Sequence, residues 1–467
     1  MMLLIQKRQN FSLNSLGKII LAKSLVAIFA TGLFAVNGQS KYFSNDNNKS
    51  LLLKPIKKLN DEEYDQFILG RSFFTIPWVE APSATTARDG LGPLFNANTC
   101  ISCHPRNGRG TLLNSKGNAA RSLVVRLSIP SDGSLLHETQ KEKMGFVPEP
   151  TYGAQISING VHGVPFEAKP KVEFEEVSVV FPDGEKDVIL KPKYTLIENN
   201  YGEFHKDTSY TYRIAPSLHG LGLIENISNE DILANQDIND KNSDGISGKA
   251  NMVYSPLTKK LELGRYTWKA SSATILEQSA GAAHNDMGLT SSLIQVENCT
   301  DSQKLCNEAP KPRDKNDITD LRLGAMDFYI KNLKAYKPKE TASFKEGLEI
   351  FEQISCAKCH ITNFKTKSGL NIAPYTDLLL HNMGDELSDG RVEFKANENE
   401  WRTAPLWGLA LHEKITGKKP RLLHDGRARD FQEAILWHGG EATGAKNAYM
   451  NLPKEKREKL IKFLERL

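Results

Sequence analysis

Two five-residue stretches carry the residues best suited to chemistry: CISCH (Cys100 to His104) and CAKCH (Cys356 to His360). Two thiols three positions apart can bond the two vinyl groups of one porphyrin, and the next residue places an imidazole beneath the iron. Each stretch therefore has the form of a c-type haem attachment site. A bare Cys-x-x-Cys also occurs in thioredoxin-like redox pairs and in half zinc sites. Here His directly follows each second Cys, and no further Cys pair stands at zinc-finger spacing. The sequence points to two covalently bound haem c groups with His104 and His360 as iron ligands.

A haem iron either takes a sixth ligand from the protein or keeps that position open, and the difference separates electron carriers from catalysts. For the second haem the candidates are Met383, His412, His424 and His438. In HDGRARDFQEAILWHGGEA, Phe431, Ala434, Ile435 and His438 share one helical face, so His438 can point with an apolar stripe into a haem pocket. The same His also suits a helix end stopped by Gly439. A different chemistry is suggested by DINDKNSDGISG, where Asp240, Asn242 and Asp244 alternate before Gly245 as in the opening of a calcium loop. Its twelfth position is Asn251 rather than Glu, so it is not a complete EF-hand, and a polar turn is the competing reading. Cys299 and Cys306, in NCTDSQKLC, can close a small disulfide ring in an oxidising compartment.

These residues need a scaffold and a compartment. Residues 1–38 hold Lys7, Arg8, Lys18 and Lys23, no acid, and an apolar run over 25–36 that is short of the ~20 residues needed to span a bilayer. That is a signal peptide in form, which predicts a periplasmic or otherwise exported protein with no membrane span after cleavage. The net charge of +4, from 60 basic and 56 acidic residues, is accounted for by the four leader cations. A near-neutral mature chain gives no electrostatic case for nucleic acid. The remaining length, about 430 residues, predicts more than one core: an N-terminal haem domain over 39–340 and a C-terminal cytochrome c domain over 341–467.

The segment DEEYDQFILGRSFF places Tyr64, Phe67, Ile68 and Phe74 at helical spacing. Phe67, Gly70 and Phe74 recur at the same offsets as Phe344, Gly347 and Phe351, each set preceding a haem motif, so the chain contains an internal repeat. Over about 121–212 the pattern changes to strand-like alternation with PDG and NG turns. The fold expected is mainly α: two cytochrome-c-like haem domains with a small β-rich insertion in the N-terminal half.

The stretch WRTAPLWGLALHEKITGKKPRLLHDGRARDFQEAILWHGGEA resembles the C-terminal haem domain of the bacterial di-haem cytochrome c peroxidase superfamily. Together with APSATTARDGLGPLFNANTCISCHPRNGRG it more closely resembles the di-haem oxidoreductases labelled peroxidases and sometimes, from their Cys pairs, thiol oxidoreductases. In the peroxidases a Met fourteen residues after the His of an HxG motif is the sixth ligand of the electron-transfer haem. Fourteen beyond His424 is His438, so the resemblance implies His360 and His438 as an axial pair, with Met383 as the alternative. WKASSATILEQSAGAAHNDMG resembles the peroxidase segment with a Trp between the haems, a pocket Gln and an acid/base carboxylate. These correspond to Trp268, Gln278 and Asp286, with Asp in place of Glu and a two-residue gap. His284, two residues from Asp286, can serve instead, or close the site as a sixth ligand.

The peroxidases also carry a capping His shortly after the first motif, whereas none occurs here between His104 and His137. His137, His162, His205 and His219 are the other imidazoles a ligand would have to come from. The function implied is reduction of hydrogen peroxide or a related small oxidant at the N-terminal haem, with electrons from an unidentified redox protein entering through the C-terminal haem. The alternative is a non-catalytic electron-transfer cytochrome serving a respiratory or iron-uptake partner. Thiol oxidoreductase activity is disfavoured, because haem attachment consumes the thiols it requires.

Overall fold

The computed structural model describes residues 41–44, 50–56 and 58–467, so the expected signal peptide lies outside the described residues. In chain order, the elements that frame the site are helix α1 (Asp61–Thr75), strand β1 (Leu123–Ser128), the hairpin strands β2 (Lys169–Val180) and β3 (Lys186–Ile197), strand β4 (Ser209–Ile214), and helices α2 (Ile275–Met287), α3 (Asp320–Lys331), α4 (Ala342–Gln353), α5 (Phe431–Leu436) and α6 (Lys454–Leu464). Among the described residues no helix is long and apolar enough to cross a membrane.

The internal repeat is present in three dimensions, and it extends to a partner helix. Asn60 caps α1 in a reciprocal bond with Glu63, and Asp61, Glu62 and Glu63 place negative charge on its first turn. Thr341 caps α4 by accepting from the Phe344 amide. Phe67 and Phe74 of α1 pack on Tyr329 of α3 with ring centroids 4.9 and 5.6 Å apart. Phe344 and Phe351 of α4 pack on Phe463 of α6 at 4.9 and 5.5 Å. The glycine between each pair allows the crossing: a Cβ on Gly70 would overlap the Ala325 carbonyl oxygen, and one on Gly347 would overlap the Phe463 Cβ. The last aromatic of each set then reaches its motif imidazole, Phe74 to His104 at 6.3 Å and Phe351 to His360 at 6.2 Å.

The expectation of a mainly α fold is corrected: 31% of the residues are helical and 21% are in strands, a mixed α and β structure. The long hairpin β2–β3, in register from Lys169 with Ile197 to Val180 with Lys186, and the antiparallel pair β1–β4 fall in the segment read as strand-like. The remaining strands are ladders of two to four residues, such as Met252–Ser255 with Lys260–Leu263 and Leu380–Asn382 with Glu400–Arg402. Pairs this short have too few residues to show a two-residue period, so the sequence pattern concealed them.

The hairpin is also bound into the C-terminal half. Arg457 of α6 pairs with Asp183 at 2.8 Å at the hairpin turn, and the buried Glu433 carboxylate of α5 accepts the Leu190 amide of β3. The largest buried cluster accordingly combines Leu123, Val125, Leu127 and Tyr212 with Trp268 and with Phe351, Trp401, Trp437 and Phe463.

Candidate functional site

Each motif forms a single 3-10 turn, over Cys100–Ser102 and Cys356–Lys358. The His104 amide donates to the Cys100 carbonyl at 3.0 Å, and the His360 amide to the Cys356 carbonyl at 3.0 Å. The two imidazoles are held alike. Nδ1 of His104 lies 2.8 Å from the Pro216 carbonyl oxygen, and Nδ1 of His360 lies 2.9 Å from that of Tyr375. A carbonyl only accepts, so each Nδ1 carries the proton and each Nε2 keeps its lone pair, the tautomer of a metal ligand. Burial lowers both pKa values to about 4, so both rings are neutral at pH 7. Burial also pushes the Cys100 and Cys356 thiols up to about 12 and raises those of Cys103 and Cys359. Thiol exchange needs the thiolate, which these surroundings disfavour.

Cys100, Cys103 and His104 line a cavity with about 1740 Å³ of empty volume, part of it open to solvent. Helix α2 forms one wall. Its start is fixed by a reciprocal cap between Thr274 and Glu277, and Gln278, Ala282 and Asp286 recur at helical spacing toward the cavity. The Asn96 and Ala97 amides donate to the Asp286 carbonyl, stitching the end of α2 to the loop before Cys100. Burial raises the Asp286 pKa, opposed by the amide donated from Gln155 to Oδ1 at 2.7 Å and by the Arg126 charge. The structure therefore brings Trp268, Gln278 and Asp286 to the cavity of His104. His284 is not among the residues that line it, and burial lowers its pKa to about 4. His219 does line it, but its Nε2 accepts the Tyr336 amide at 2.9 Å, which uses its lone pair. His137, His162 and His205 lie outside the cavity.

Cys356, Cys359 and His360 line a second cavity, of about 2080 Å³ of empty volume, also part open. His438, which follows α5, lines it with Nδ1 2.6 Å from the Ala434 carbonyl oxygen, again leaving Nε2 free. Met383 and His424 line the same cavity, whereas His412 lines neither. His424 is stacked on Trp401 at 3.7 Å. His381, which the sequence reading did not single out, is clamped by Asp377 at 2.7 Å and Glu441 at 2.8 Å, and these carboxylates hold its pKa well above the usual range. In the loop of Asp240, Asn242 and Asp244, each side chain accepts amides of its own turn, and Asp244 also pairs with Lys358 at 2.9 Å.

The two cavities share a wall of Arg109, Trp268, Arg402, Ala404, Pro405 and Leu409. Trp268 donates its Nε1–H to the Ile214 carbonyl at 2.9 Å, and the Arg109 guanidinium lies over its ring at 5.0 Å. Arg109 and Arg402 are buried with no carboxylate within ion-pair distance among the described residues, and burial lowers both pKa values to about 10. Such cations call for anionic groups in the cavities, and haem brings two propionates. With free Nε2 atoms and these arginines, the residues present fit haem.

These arginines, Arg126, Gln155 and His381 carry no local sequence signature, since their partners are remote in the chain. A family model described as "Di-haem oxidoreductase, putative peroxidase" matches residues 31–467. No curated protein matches the chain. The family match spans nearly the whole sequence, and the chain belongs to the di-haem oxidoreductase family.

Proposed function

We propose that this chain is an exported di-haem c-type cytochrome that reduces peroxide in the N-terminal cavity with electrons supplied through the C-terminal one. The observation that carries this reading is the arrangement of one His-lined cavity with a buried acid, a second with an added free imidazole, and Trp268 in the wall of both. Cys100, Cys103 and His104 would hold one haem, and Cys356, Cys359, His360 and His438 the other. When bound, the first haem supplies the metal centre and electrons for O–O cleavage, in the overall conversion of H2O2, two electrons and two protons to two waters. The electrons come from a one-electron redox protein. Oδ2 of Asp286 is the oxygen left to carry a proton, because Oδ1 accepts from Gln155, and burial raises its pKa in the direction that proton transfer needs. The Gln278 amide faces the same space. The cysteines Cys299 and Cys306 are disulfide-bonded, which agrees with export.

Optical and electron-spin spectra of the oxidised protein test this. One high-spin and one low-spin haem are expected, with H438A converting the low-spin signal and M383A leaving it. Two low-spin haems and no response to peroxide would make the chain an electron carrier instead.

A further inference from the structure

Five arginines line the N-terminal cavity, and four of them make at least one hydrogen bond or ion pair within the protein. Arg213 pairs with Asp389 at 2.9 Å and Glu393 at 2.7 Å. Arg265 donates to the Ile224 carbonyl at 3.0 Å and to Asn229 at 2.6 Å. Arg109 donates to the Leu423 carbonyl, and Arg402 to those of Thr267 and Thr403. The Arg126 guanidinium alone makes no hydrogen bond or ion pair among the described residues. Strand alternation fixes where it points. Leu123, Val125 and Leu127 of β1 enter the main core, while Ser122, Val124 and Arg126 line the cavity. Arg126 also forms a backbone bridge with Gln155, the residue whose amide holds Asp286. An unspent guanidinium is thus set beside a buried acid on the side of the molecule that holds His104.

We infer that Arg126, next to Asp286, is a binding position for a small monovalent anion in the N-terminal cavity. The ligand class is the conjugate base of a peroxide or an inorganic monoanion of similar size. A guanidinium with five donors, set in the field of Glu393 and Asp286 but making no hydrogen bond or ion pair with either, is suited to it, and a charge-assisted bond in a partly desolvated cavity is stronger than one in water. Arg109 and Arg402 spend only some of their donors, all on backbone carbonyls, and the rest can serve the propionates in the shared wall, so Arg126 is not needed there. This inference rests on the proposed open haem site.

The test is a fluoride titration of the oxidised holoprotein, followed by its optical spectrum, with neutral imidazole as the control ligand. R126Q, or R126M should R126Q not fold, is expected to weaken fluoride binding at least about tenfold and to leave imidazole affinity within about threefold. R126K should hold fluoride within about threefold of the unaltered protein, because the charge is kept. Unchanged fluoride affinity in R126Q or R126M would overturn the inference while leaving the open site standing. A changed reduction potential with unchanged fluoride affinity would also overturn it, and would make Arg126 a propionate anchor. Failure of the unaltered protein to bind fluoride would remove the open site and the anion position together.

Discussion

Glu167 is a buried carboxyl that the proposed chemistry does not use, and its partners make it a probe of the fold. Oε2 accepts the Ser157 amide and Oε1 accepts the Gln303 amide, both at 2.5 Å, which favours the ionised form. Burial outweighs both bonds and raises the pKa to about 8. The native state therefore keeps a proton that the unfolded chain releases near pH 4.5. Stability is full below that pH, falls as pH rises toward about 8, and levels off beyond. At about 1.4 kcal/mol per unit, the contribution lost is on the order of 4–5 kcal/mol. E167Q should remove this slope, measured as urea midpoints at pH 5 and pH 9 in both proteins. Equal pH dependence in the two would refute it. Gln303 reaches Glu167 from within the ring closed by Cys299 and Cys306, so that ring fixes a core contact.

At the scale of elements, the two helix crossings are the units on which the motif imidazoles depend. Gly70 and Gly347 admit the partner helix, and the aromatic four residues on carries that crossing to His104 or His360. A methyl group at either glycine meets backbone or a Cβ atom rather than a flexible side-chain end, so the helices must separate. G70A and G347A are each expected to lower stability by about 1–3 kcal/mol, with G70A disturbing the spectrum of the haem proposed on His104 and G347A that of the haem proposed on His360. If either change perturbs both haems equally, the crossings are not separate supports. This repeat was legible in the sequence because offsets within one helix are preserved in the chain. Gln278 and Asp286 of helix α2 were reached through the resemblance to the peroxidase segment, while the side chosen by His284 depends on packing that no local pattern encodes.

At the scale of the whole molecule, alternation along β1 and the hairpin indicated that one face is buried, but an alternating strand does not say what it is buried against. The structure answers that Leu123, Val125 and Leu127 pack in one cluster with Phe351, Trp401 and Phe463, and that the hairpin turn is held by Arg457. The shared wall between the cavities has the same origin, since Arg109, Trp268 and Arg402 converge from three distant segments. A core common to both halves cannot be exposed in one half alone without opening the other. Unfolding by urea should therefore be a single event. Tryptophan fluorescence reports on all five tryptophans, of which Trp268, Trp401 and Trp437 are buried in this common cluster and Trp78 and Trp407 in the clusters beside it, whereas far-ultraviolet circular dichroism reports on all helices and on the hairpin. The two curves are expected to coincide, and removing the hairpin anchor with R457A should shift both midpoints down together. A circular dichroism transition that R457A separates from the fluorescence transition would mean that the hairpin unfolds apart from the core, and that the two halves are joined less tightly than their common cluster implies.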